Sequence, residues 1–199
     1  MKITALKRQV KNPGRVSVMV DAEYSFSLSL DELVKHRLKN GDELTASDVK
    51  KYKKISADGK LRARALEWLL NRPRSEREFR DYLYKKKAEP DQIDGLVTEF
   101  TDKSYLDNTK FTEWYAELLT RRNKSDRQIR AELFKKGIAR ELVDSVLEQN
   151  AGKEEQRLKE IVAKKGSLPR YKNDPLKLKQ YLARQGFSYN AINEALKNT

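Results

Sequence analysis

The stretch SDRQIRAELFKKGI, Ser125–Ile138, decides the architecture. It opens on a serine with Gln128 three residues on, a capping-box pair in which each side chain can satisfy an orphan amide at a helix start. Ile129 and Leu133 stand four residues apart, on one face of a helix. Gly137 follows the last turn, where a left-handed residue ends a helix, and Ile138 can then fold back on the turn before it. The stretch reads as one short amphipathic helix with both ends punctuated.

It occurs three times. SEREFRDYLYKKKA, Ser75–Ala88, aligns at an offset of 50 residues, and DPLKLKQYLARQGF, Asp174–Phe187, at an offset of 49. The apolar positions coincide as Phe79, Ile129 and Leu178, then Leu83, Leu133 and Leu182. The caps agree by role. Ser75 with Glu78 repeats the box, and Asp174 with Pro175 supplies an N-cap and a first-turn proline. Gly186 matches Gly137, whereas Lys87 stands in the glycine position of the first copy, so that turn is expected to be looser or to end differently.

Each copy extends in both directions. A following helix is predicted from Ile93 and Val97, Val143 and Leu147, and Ile192 and Leu196. A preceding helix is predicted from LRARALEWLLNR at 61–72, KFTEWYAELLTRR at 110–122 and EEQRLKEIVAKK at 154–165. A period near fifty residues with three helices per copy predicts tandem units that share apolar faces in an elongated, curved array.

The first residues differ. Val16, Val18 and Val20 alternate with polar residues, as do Tyr24, Phe26, Leu28 and Leu30. Asn12-Pro13-Gly14 marks a turn, and Asp21-Ala22 could close a hairpin without the usual glycine. A small antiparallel sheet of two or three strands is predicted, with DELVKHRLKNG (31–41) as its covering helix through Leu33, Val34 and Leu38. The fold is therefore expected to be mainly α. A β-rich extension (1–46) precedes helical repeats at 47–107, 108–152 and 153–199.

The charge points to a partner. The chain of 199 residues carries a formal net charge of +13, and residues 151–199 hold 11 basic against 5 acidic side chains. Such a protein is drawn to polyanions. Some basic positions follow the repeat: Arg80, Arg130 and Lys179 flank the apolar face, and Lys85, Lys135 and Arg184 lie in the last turn. The helix dipole alone favours cations in that turn. Arg72 and Arg122, Arg74 and Lys124, and Arg77 and Arg127 match in the first two copies, and Lys86 and Lys136 join them. These residues form the expected contact surface. Tyr84 and Phe134 lie beside it, and packing between units is their expected role.

No catalytic constellation emerges. The chain has no cysteine and one histidine, His36, read as facing solvent. Gly59-Lys60 and Gly152-Lys153 lack the upstream glycine of a phosphate loop. Glu154-Glu155 and Asp31-Glu32 sit at helix starts, where carboxylates complement the dipole. No metal or cofactor is expected. The N-terminal MKITALKR lacks a signal-peptide core and no apolar run reaches the length of a membrane span, so a soluble cytoplasmic monomer is expected.

The helical part resembles the RecX family of bacterial regulators. The resemblance is carried by ALEWLLNRPRSEREFRDYL (65–83) and by KSYLDNTKFTEWYAELLTRRNKSDRQIRAELFKKGI (103–138) with the helix after it, and it covers roughly residues 60–199. The family's GYLDD segment is SYLDN here, with Ser104 in the glycine position, Asp107 still available as an N-cap, and Asn108 as the second departure. The strands are similar to a variable extension of some members. The resemblance implies a non-enzymatic protein that binds filaments of the RecA recombinase along their groove. It would inhibit ATP hydrolysis, strand exchange and coprotease activity, in contact with single-stranded DNA directly or within the filament. The reading from charge alone is a stand-alone, non-specific nucleic-acid-binding protein.

Overall fold

The computed structural model describes residues 1–149 and 152–197; residues 150–151 and 198–199, which fall in the second and third expected repeats, lie outside the described residues. The chain forms two compact units, Met1–Trp68 and Leu69–Thr199.

The first unit holds a three-stranded antiparallel sheet of β1 (Ile3–Arg8), β2 (Arg15–Val20) and β3 (Glu23–Ser29), in the order β1-β2-β3. Asp21 and Ala22 form a two-residue turn with φ of 50° and 71°. Both angles lie in the left-handed region that glycine normally fills. The neighbouring strand pins the turn: Lys2 N donates to Asp21 Oδ1 at 2.8 Å and Ala22 N to Thr4 Oγ1 at 2.9 Å. A bulge follows, because Val18 pairs with Phe26 but Met19 pairs with Tyr24. The extra residue turns Tyr24 away from Phe26, so the expected single face of Tyr24, Phe26, Leu28 and Leu30 keeps only Phe26 and Leu28 in the core.

The sheet's cover also differs from expectation. α1 (Leu30–Lys35) is one turn and a half, opened by a complete capping box between Ser29 and Glu32. Leu33 and Leu38 reach the core, but Val34 is 74% exposed. The main cover is α2 (Ala46–Leu70), one continuous helix of 25 residues that brings Val49, Tyr52 and Ile55 onto the sheet. Ser56 Oγ accepts from Ser27 N at 3.3 Å, closing an edge position of β3. His36 is half-buried, its ring meeting Tyr52 edge-on at 5.4 Å, and does not simply face solvent. Gly59 sits inside α2, where a β-carbon would stand 2.4 Å from Glu32 Oε1.

In the second unit the middle and following helices alternate as the repeat predicts. The first copy contributes α3 (Glu76–Lys85) and α4 (Pro90–Asp102). The second contributes α5 (Asn108–Arg121), α6 (Asp126–Lys135) and α7 (Arg140–Glu148). The third contributes α8 (Lys153–Gly166), a short α9 (Pro169–Lys172), α10 (Pro175–Arg184) and α11 (Tyr189–Lys197). Phe79, Ile129 and Leu178, with Leu83, Leu133 and Leu182, are all buried.

The helix ends carry a correction. Lys87 adopts φ of 60°, alongside 76° at Gly137 and 98° at Gly186. Its amide donates to Tyr84 O at 2.9 Å and the next amide to Leu83 O at 3.2 Å, as Gly137 and Ile138 do to Phe134 and Leu133. The first turn is therefore no looser. Glycine is needed in the later copies for a second reason: each rests on the copy before it. A β-carbon at Gly137 would stand 3.0 Å from Arg77 Cβ, and one at Gly186 2.4 Å from Ser125 Oγ. Lys87 has no preceding copy against it. Ser104 likewise takes a left-handed φ of 57° in the family's glycine position.

The capping boxes are half-made. Ser75 and Ser125 accept from the amides of Glu78 and Gln128, but the return bonds are absent: Glu78 binds Arg72 and Lys136, and the Ser125 amide donates to Gln185 O at 2.9 Å. The remaining donors go to the next copy. Glu76 N donates to Asn108 Oδ1 at 3.0 Å and Asp126 N to Glu154 Oε1 at 2.8 Å, so each following unit caps the one before. In α10 the first helical residue is Pro175, which has no amide proton to satisfy.

Candidate interaction surface

The flanking positions of the middle helices are engaged internally. Arg80 binds Glu76 at 2.7 Å and Asp94 at 2.6 Å, and these carboxylates raise its pKa further. Arg130 pairs with Asp144, the equivalent of Asp94 one copy on. Both bonds tie a middle helix to the helix that follows it. In the third copy the carboxylate becomes Asn193, and Lys179 instead lies 5.9 Å over the Tyr189 ring. The recurrence of charge here has a structural cause.

The last-turn positions diverge. Lys135 pairs with Glu132 at 2.8 Å, which raises the pKa of the lysine. Lys85 and Arg184 are exposed and have no carboxylate partner among the described residues. Lys86 lies 5.5 Å over the Tyr82 ring.

A cluster of charged and aromatic side chains forms where the first and second copies meet. Glu78 is ion-paired with Arg72 at 3.0 Å and Lys136 at 2.6 Å. Burial opposes its ionisation, but hydrogen bonds and charge from Arg72 and Lys136 outweigh burial and hold its carboxyl below the usual range. Arg72 lies over Trp114 at 5.1 Å and Lys136 over Tyr115 at 5.9 Å, and the two rings stack. Burial, and then the Arg72 charge, lower the pKa of Arg74. Where the second and third copies meet, Arg157 takes the ionic role, bound to Asp126 at 2.8 Å, and Arg127 donates to Gly186 O at 3.1 Å.

Arg72, Arg74, Arg80, Arg130 and Lys136 are thus part of the internal framework. Arg77, Lys85, Arg122 and Arg184 are exposed cations without a carboxylate partner among the described residues, and half-buried Lys124 adds its charge to those that lower the pKa of Glu132. The cross-copy roles of Asn108, Glu154 and Arg157 escaped the sequence reading, since their partners lie in another copy and no local pattern marks them. Tyr84 and Phe134 are 57% and 39% exposed, so packing between units is not their role.

Among the described residues, no group of three histidine or carboxylate side chains is gathered to hold a metal. A cleft of about 460 Å³ beside α5 and α8 is lined by Glu113, Glu117, Lys153, Arg157 and Glu160 among others. Among the described residues no helix is long and apolar enough to cross a membrane.

A Bacillus velezensis protein named Regulatory protein RecX is 34% identical over 203 residues, spanning 99% of this chain and 77% of its own length. The chain belongs to the RecX family. A Bacillus pumilus RecX protein is 32% identical over 98% of this chain and 76% of its own length. A Listeria innocua RecX protein is 34% identical over 76% of this chain, and that match spans 56% of the relative's length. The family model described as the RecX N-terminal domain matches residues 1–45, so the strands, like the helices, carry RecX character. A crystal structure titled regulatory protein RecX superposes at a TM-score of 0.71, with 23% identity, over 100% of this chain and 99% of that one. RecX from Lactobacillus salivarius superposes at 0.58, with 24% identity, over 71% and 95%. These two likenesses concern the fold.

Proposed function

We propose that this chain is a non-enzymatic, monomeric regulator that binds RecA–DNA filaments along their groove and inhibits ATP hydrolysis, strand exchange and coprotease activity. Membership of the RecX family is the observation that carries this reading. The unpartnered cations support it. Arg77, Lys85, Arg122 and Arg184 are spread over successive copies, so contacts within 47–107, 108–152 and 153–199 would add through avidity rather than converge on a pocket. The test is RecA ATPase activity on single-stranded DNA. Substoichiometric protein suppresses it; no effect at stoichiometric excess over the cognate recombinase refutes the proposal.

The net charge of +13 favours a second reading, a stand-alone nucleic-acid-binding protein. Binding to bare single-stranded DNA and to a RecA–DNA filament at one salt concentration separates the two. A large preference for the filament selects the regulator; equal affinity and a steep salt dependence select the alternative.

A further inference from the structure

In the helical repeats two aromatic rings remain without a task. Tyr84 and Phe134 occupy the same position in successive copies, 57% and 39% exposed. Neither side chain has a hydrogen bond, ring contact or cation against it among the described residues, in contrast to Trp114, Tyr115, Tyr82 and Tyr189. An aromatic ring loses free energy in water unless something covers it.

Their surroundings say what fits. On a helix of about 100° per residue, positions seven apart fall within about 20° of each other. Tyr84 therefore shares a face of α3 with Arg77, opposite buried Phe79 and about 10 Å along the axis. Phe134 shares a face of α6 with Arg127. The two faces adjoin, because Gly137, three residues beyond Phe134, rests on the stem of Arg77. Arg77, Lys85 and Lys87 are exposed and lack carboxylate partners among the described residues. One acid, Asp81, lies on this face of α3; its counterpart on α6 is Ala131. A bare ring flanked by unpaired cations, with a second ring on the adjoining face, matches the pattern of proteins that stack bases while cations track phosphates.

We infer that Tyr84 and Phe134 are stacking platforms for the bases of single-stranded nucleic acid, with Arg77, Lys85 and Lys87 on its phosphates. The inference rests on the proposed role on DNA filaments, and names the ligand groups met by one face of the repeats.

The test compares a thirty-residue oligothymidylate with an abasic chain of equal length and charge, without recombinase. The double variant Tyr84→Ala/Phe134→Ala lowers affinity for the thymidylate by ten- to hundredfold and leaves the abasic affinity within twofold. Equal loss on both chains, or loss on neither, overturns the inference, as does a wild-type protein with no affinity for the thymidylate. Loss confined to filament binding also overturns it and assigns the rings to a protein contact. A single Tyr84→Trp variant gives a second readout: thymidylate quenches its added fluorescence and the abasic chain does not. ATPase inhibition is read in parallel, so intact inhibition with failed stacking leaves the proposed regulator standing.

Discussion

Arg77 packs its side-chain stem against Gly137, one copy further along the chain: a β-carbon at residue 137 would stand 3.0 Å from Arg77 Cβ and 3.1 Å from its Cδ. The contact makes a helix-ending glycine part of the joint between copies. The same logic at Gly186 is tighter, with Ser125 Oγ at 2.4 Å and Gln128 Cβ at 2.9 Å from the added carbon.

Gly186→Ala therefore combines left-handed strain with a clash against the capping serine of α6. It destabilises the protein by about 2–3 kcal/mol, and Gly137→Ala by about 1–2 kcal/mol, since arginine methylenes yield more readily. Urea denaturation read by circular dichroism measures both. Equal, negligible losses would show that the copies do not bear on these positions.

The reverse substitutions relieve strain. Lys87 at φ of 60° and Ala22 at φ of 71° are side chains in glycine conformations. Lys87→Gly and Ala22→Gly each raise stability by about 0.5–1 kcal/mol, despite the entropy that glycine adds to the unfolded chain. Their effects add in the double variant, because the positions lie in different units.

Glu78 gives a pH signature. Its folded pKa is lowered by Arg72 and Lys136 against the opposing effect of burial. Its contribution is therefore fully present above the unfolded value of about 4.3, and is lost as pH falls through the lower folded value. Glu78→Gln costs about 2 kcal/mol at pH 7, and the gap from wild type closes as pH drops below about 4. A gap that persists unchanged at pH 3 would assign the loss to packing.

Arg80 and Arg130 separate structure from binding. Each is about a third exposed and paired with a carboxylate, so Arg130→Gln costs about 0.5 kcal/mol of stability. Filament affinity stays within twofold for Arg80→Gln/Arg130→Gln. The triple variant Arg77→Gln/Lys85→Gln/Arg122→Gln weakens binding and lowers the salt slope by about two to three. Fluorescence anisotropy across a salt series reads both.

Much of the helical body was legible because its signals are local. Serine and aspartate caps, apolar residues four apart and a residue after the last turn act within one helix. Three copies of one pattern outweigh any ambiguity in each. The contact surface was less legible. Arg80, Arg130, Lys85 and Lys135 look alike in the sequence, yet three of them have carboxylates at hand and Lys85 does not.

The sequence by itself determined the repeat, the middle and following helices of each copy, the small sheet and the family, whereas the helix expected at 61–72 is the end of α2. Periodicity and capping act over a few residues, so they can be read without knowing what lies across the fold. Only the tertiary structure decided that α2 joins Leu33 and Leu38 in covering the sheet, and that Asn108 and Glu154 cap the preceding copy. It also decided that Gly137 and Gly186 are joints, and which cations remain free. Those outcomes depend on residues far apart in the chain, 28 positions for Asp126 and Glu154 and 61 for Ser125 and Gly186, a distance over which local propensity carries no information.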